Sequence, residues 1–228
     1  GALAVGGAIA AYLPPPAKIR SSIQHIAAGF VFAAAGVEVL PDVMHRNLPL
    51  AAAFGFTVGV ALMLTIRVVS QRFEAENNGV DGGKWGIVGV VVVDIFVDGL
   101  LIGVSVATDR GQGQQALLVA IALAAELLSL GLSVAAILGQ NGISHVQTIL
   151  ITSTVALSPL IGAVAGYFLG GALTGGWLEG VLAFAVAALL YLAAEELLKE
   201  AHEVPETLVG TALFFGGFLT VLLIDMIS

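Results

Sequence analysis

Residues 85–107 read Trp85-Gly86-Ile87-Val88-Gly89-Val90-Val91-Val92-Val93-Asp94-Ile95-Phe96-Val97-Asp98-Gly99-Leu100-Leu101-Ile102-Gly103-Val104-Ser105-Val106-Ala107. The run is long enough to cross the hydrocarbon of a bilayer, which takes about 20 residues in a helix. Its only charges, Asp94 and Asp98, fall near its middle. An ionised carboxylate at that depth costs at least about 2.5 kcal/mol. Such a side chain must face a cavity or the interior of a bundle, and must meet a proton, a partner or a cation there. Four residues apart on one helix, the two acids share a face. This pattern predicts a membrane helix with a cation path along one side.

The rest of the chain agrees with a membrane setting. Of its 228 residues, 58% are hydrophobic and 11% charged, and the mean hydropathy is +1.03. A soluble domain carries about 25% charged residues. The 29 glycines suit closely packed membrane helices. The absence of cysteine excludes disulfides, thiolate ligands and thiol redox chemistry. A net charge of −8 disfavours nucleic acid as a partner and leaves the lipid bilayer and cations. No removable signal peptide is visible, and Gly1 is not a native start, so residues are expected in front of it.

Apolar runs fall at about 1–13, 23–40, 50–66, 85–107, 116–138, 146–169, 177–198 and 208–227. The first is too short to span alone and reads as the tail of a truncated helix, stopped by Pro14-Pro15-Pro16. A membrane β-barrel would alternate polar and apolar residues in segments of about 10, which these runs do not. The expected fold is therefore an all-α, polytopic eight-helix bundle, one domain over 1–228. The longest linker is expected at roughly Ser70–Lys84. Lys18, Arg20, Arg67, Arg72, Lys84 and Lys199 fall on one side, and Arg46 and Arg110 on the other. The basic side faces the cytoplasm. This predicts a multi-pass protein of the cell membrane with both termini outside.

Other polar residues extend the path. In the fifth helix Glu126, Ser129 and Ser133 form a narrow stripe at i, i+3 and i+7. Glu126 lies at nearly the depth of Asp94 in an antiparallel neighbour, so the two can meet. The seventh helix ends in Glu195-Glu196-Leu197-Leu198-Lys199-Glu200-Ala201-His202-Glu203. Glu195 or Glu196 can complete a site, with Glu200 and His202 leading inward. Alternatively both acids pair with Lys199, and the last acids form a solvated helix end. In the second helix, Glu38 and Asp42 share a face near the outer end and can draw cations to an entrance. His25, near the inner end of that helix, reads as an interfacial residue. Pro159 predicts a kink in the sixth helix, with Ser158 serving the freed backbone. Gly99 and Gly131 predict close helix approach.

Several of these stretches resemble the ZIP (Zrt/Irt-like protein) family of divalent metal transporters, over about Gln24–Met226. Asp98-Gly99-Leu100-Leu101-Ile102-Gly103-Val104-Ser105-Val106-Ala107-Thr108 is similar to that family's E-G-x-x-I-G-x-S-x-A-T. Ala27-Ala28-Gly29 through Leu40-Pro41 looks like its A-A-G…L-P, and Glu196…Glu200-Ala201-His202 like its H-E-x-x-P-E-x-H. The metal motifs depart from the pattern. Asp94 stands at the first His of H-N-x-P-E-G, Ile95 at the Asn and Asp98 at the Glu. In the fifth-helix motif Glu126 keeps the first ligand position, whereas Leu127 and Leu130 replace polar ones. In the seventh, Glu195 replaces a His and Lys199 a Pro.

The resemblance implies a transporter, not an enzyme, moving divalent cations toward the cytoplasm by alternating access, and it implies a homodimer. The pattern of replacements predicts one metal site in place of two, built from Asp94, Asp98 and Glu126 with Glu195 or Glu196. Such a site holds oxygen only. Carboxylate suits Mg²⁺, Mn²⁺ and Ca²⁺, and the resemblance adds Zn²⁺ and Fe²⁺. The alternatives are a related fold that moves protons or an organic solute, and a membrane scaffold or sensor.

Overall fold

Helix formation follows the apolar runs and overshoots them. The computed structural model describes residues 1–13, 15–76, 82–108, 114–140, 142–202 and 208–227, without the side chains of 70, 73–76, 82–88, 90, 114, 115, 137, 140 and 200. Among the described residues there is no strand. Helix α1 is the short apolar Ala2–Tyr12. Seven further helices are long and apolar enough to cross a membrane. They are α2 (Ala17–Arg46), α3 (Pro49–Glu76), α4 (Gly82–Thr108), α5 (Gln114–Gln140), α6 (His145–Ala172), α7 (Gly175–Tyr191, continuing to Ala201) and α8 (Leu208–Ile227). The chain is thus a multi-pass helical membrane protein.

Two expectations from the sequence need correction. Apolar runs mark only the part of a helix that lies in hydrocarbon, so α2 begins at Ala17 rather than residue 23 and continues through Asp42 to Arg46. The same effect shortens the linker placed at Ser70–Lys84. Ser70–Glu76 belongs to α3 and Gly82–Lys84 to α4, which leaves 77–81, outside the described residues. Polar residues continue a helix wherever water can solvate them, so hydropathy underestimates helix length at every interface.

Two helices contain a π-helical turn, Ala34–Val39 in α2 and Leu192–Leu197 in α7. Within α2 the Leu40 N–H reaches back five residues to the Ala35 carbonyl. Pro41 follows, has no N–H and would crowd the carbonyl four residues before it, which the wider turn relieves. The α7 turn has no proline to explain it. Glu195 and Glu196 lie within this turn.

Helix α6 breaks between Val155 and Ser158, as Pro159 predicts. Ser158 does not serve its own freed backbone. Its hydroxyl donates to the Val92 carbonyl of α4 at 2.8 Å, tying α6 to α4 just before Asp94. The α4–α6 seam is built on small residues. A Cβ added at Gly99 would collide with the Pro159 backbone, and one at Gly131 with Leu3 of α1. Both glycines therefore permit close helix approach. Gly99→Val should lower stability by about 1–3 kcal/mol through overpacking. The expected result is a clear drop in Tm of the detergent-solubilised protein. An unchanged Tm would mean that this seam yields.

The core brings α2, α4, α5 and α7 together. Ala27, Ala28, Val31, Leu101, Val104, Leu123, Val186 and Leu189 belong to one buried apolar cluster. Around it α3 packs on α7, α6 on α4, α1 on α5 and α8 on α2. The second and seventh helices are antiparallel, with Ser21 of α2 donating to the Ala201 carbonyl of α7 at 2.8 Å. The side chains with chemistry lie where these four central helices meet.

Candidate intramembrane cation site

Asp94 and Asp98 share a face of α4, and Glu126 comes from the facing α5. One carboxylate oxygen from each lies within 4.8 Å of the others. All three are buried, Glu126 at 0% exposure and Asp98 at 1%. Ser129, one turn along α5, is buried beside them in sequence. Among the described residues, no hydrogen-bond donor reaches Asp98 Oδ2, either oxygen of Glu126, or Ser129 Oγ.

Such a group is expensive unless its charge is balanced. At an effective dielectric near 20, two unit charges at this spacing repel by about 3 kcal/mol. Three pairs of that kind cannot all stay ionised in a buried site without compensation. A divalent cation supplies it, and so do protons. Metal–oxygen bonds of about 2.0–2.6 Å put the ligand oxygens of one cation roughly 3–5 Å apart, and the 4.8 Å limit here is compatible with that. Asp98 and Glu126 each lie within electrostatic range of the other.

The neighbouring positions Ile95, Leu127 and Leu130 are apolar and packed as such. Ile95 and Leu127 belong to one buried cluster with Leu3 of α1 and Val155 of α6, and Leu130 packs against it. Hydrocarbon fills the side of α4 and α5 turned toward α1 and α6.

The two glutamates of α7 part company. Glu196 acts electrostatically on both Asp98 and Glu126, so it faces the group, though its oxygens do not join the three that converge. Glu195 does not face it. Its carboxylate accepts from Arg67 of α3 at 2.5 Å and is half-exposed. Among the described residues its ion-pair partner is this arginine of a neighbouring helix and not Lys199, which helical spacing had offered as an alternative. Glu195 is therefore removed from the metal set on geometric grounds.

The remaining sequence candidates are dispersed. Glu38 lies in the π turn of α2 and Asp42 one turn beyond. Asp42 is within electrostatic range of Glu179 of α7, which Arg46 approaches to 3.9 Å. Glu179 escaped sequence reasoning, although it is fully buried. The available signal was an acid two residues after Trp177, where hydropathy places a solvated helix start. At the opposite end, His25 is buried, and its ring meets that of His202. The side chain of Glu200 and residue Glu203 lie outside the described residues.

Fold and site together define a multi-pass helical membrane protein with a buried carboxylate trio at the junction of two central helices. No family profile matches the chain, and no curated protein matches it.

Proposed function

We propose that the protein is a ZIP-like transporter that moves a divalent cation across the membrane through the Asp94–Asp98–Glu126 site. The observation that carries this reading is the convergence of three buried carboxylates from two helices, with no donor at Asp98 Oδ2 or at either oxygen of Glu126 among the described residues. Acids held only for structure would be expected to acquire such donors. An eight-helix bundle of the ZIP type accommodates the seven spans and the short α1.

In this reading the cation exchanges its hydration shell for Asp94, Asp98 and Glu126, and Glu196 stands beside the site on the next helix. Asp42 and Glu38 line the approach at the Arg46 end of α2. The Lys18, Arg20 and His202 end faces the cytoplasm, and movement is inward. Protons replace the metal on the acids during return, which the close approach of Asp98 and Glu126 favours. The apolar packing of Ile95, Leu127 and Leu130 supports one metal in place of two. The all-oxygen donor set extends the substrate range from Zn²⁺ and Fe²⁺ toward Mn²⁺, and to Mg²⁺ and Ca²⁺. Catalysis is not part of the proposal, and a homodimer in the bilayer is compatible with it.

The test is uptake by purified protein in proteoliposomes across Mn²⁺, Zn²⁺, Fe²⁺, Mg²⁺ and Ca²⁺, with and without a pH gradient. Saturable uptake of at least one cation, abolished by Glu126→Gln, is the expected result. Proton flux that Glu126→Gln abolishes, with no uptake of any of the five, would replace cation transport by proton movement.

A further inference from the structure

We propose that His25 and His202 form a second cation site, ligated by nitrogen and suited to a borderline transition-metal ion of the Zn²⁺, Co²⁺ or Ni²⁺ class. The sequence places the two residues 177 positions apart, and folding brings them together. Their ring centroids are 5.5 Å apart with planes at 74°. Two imidazoles on one tetrahedral metal, with metal–nitrogen bonds of about 2.0–2.1 Å, have ring centres roughly 5 Å apart. The observed separation of the ring centres is close to that value.

The tautomer is set for ligation. His25 Nδ1 lies 2.8 Å from the Ser21 carbonyl oxygen. A carbonyl only accepts, so Nδ1 carries the proton in the neutral ring and Nε2 carries the lone pair. Metal-binding histidines are commonly fixed in this way, by donation of the other ring N–H to a carbonyl. The Ser21 hydroxyl in turn donates to the Ala201 carbonyl at 2.8 Å, which holds the end of α7 and the adjoining His202 against α2. Gly210 of α8 lies over the ring of His25, where a Cβ would stand 3.0 Å from both Cε1 and Nε2. A glycine there lets α8 pack against the ring face and hold it in place. His25 is buried and rigid, whereas His202 is exposed at the end of its helix. One fixed and one accessible ligand leave coordination positions to water, so the site is open to exchange. Its imidazoles discriminate against Mg²⁺ and Ca²⁺, which the carboxylate trio does not.

This inference does not depend on the transport reading, because the two sites differ in donor atom and in ligands. The test is a Co²⁺ titration of tag-free full-length protein in detergent, followed by visible absorption and by stoichiometry. His202→Gln is the first variant, because His202 is exposed and its loss should spare the fold. His25→Gln is the second, with Tm as a folding control. Both are expected to weaken one Co²⁺ site at least tenfold and to remove its nitrogen-ligand spectrum. Asp98→Asn/Glu126→Gln should retain that spectrum, and Zn²⁺ but not Mg²⁺ should displace the ion. A nitrogen-ligated Co²⁺ spectrum that survives His202→Gln unchanged would overturn the proposal, as would the absence of any such spectrum in the wild type.

Discussion

On the transport proposal, proteoliposomes carrying Asp94→Asn/Asp98→Asn are expected to take up divalent cation at no more than about one-hundredth of the wild-type rate. Even second-shell changes around a metal cost about 10–100-fold, and this variant removes two of three direct ligands. The amides keep the size and most of the hydrogen-bonding capacity of the acids, so the fold should persist. Stability should even rise in the absence of metal. Each wild-type pair of carboxylates lies within 4.8 Å, and neutral amides remove that repulsion. The pair of measurements is uptake by isotope or fluorescent indicator and Tm in metal-free detergent. Lost uptake with an equal or higher Tm is the signature of a functional site. Undiminished uptake would remove these acids from the transport path, and a collapsed Tm would make them structural.

The chemistry of the site was more legible in the sequence than its surroundings. Asp94 and Asp98 announce themselves because an uninterrupted run of Val, Ile and Leu makes any charge conspicuous. Glu126 follows from depth matching between antiparallel neighbours. These inferences need only helical periodicity and the thickness of a bilayer. The limits appear where a tertiary partner decides the outcome. Glu195 and Glu196 are adjacent, and nothing local says which one faces Asp98. What engages Glu195 is Arg67, more than a hundred positions earlier. His25 looked like a lone interfacial residue because its neighbour His202 comes from the far end of α7. Glu179 was missed for the converse reason. Helix starts are ordinarily wet, and the packing of α2 and α3 against that end of α7 buries this one. Hydropathy reports depth along one helix, whereas burial depends on which other helix arrives.

Glu179 gives the second large expected effect. Its carboxylate is 1% exposed, and the guanidinium of Arg46, at the end of α2, approaches to 3.9 Å. Among the described residues neither of its oxygens meets a hydrogen-bond donor, so Arg46 supplies the compensation that is visible. Arg46→Ala then leaves a buried anion with Asp42 in electrostatic range and no cation opposite it. A buried polar group stripped of its partner costs about 1–3 kcal/mol, and more when it is charged. Arg46→Ala should therefore lower Tm by several degrees. Glu179→Gln should cost less, because the arginine left behind is one-fifth exposed and water can reach it. The double variant Arg46→Ala/Glu179→Gln should recover most of the Arg46→Ala loss. That recovery is the coupling of the pair, read directly from a double-mutant cycle. Strictly additive losses would show that the two side chains do not compensate each other. The same pair joins the end of α2 to the start of α7 at the pole opposite His25 and His202. If the two helices separate there during transport, Arg46→Ala should also raise the uptake rate while it lowers Tm. A purely structural clamp would lower both.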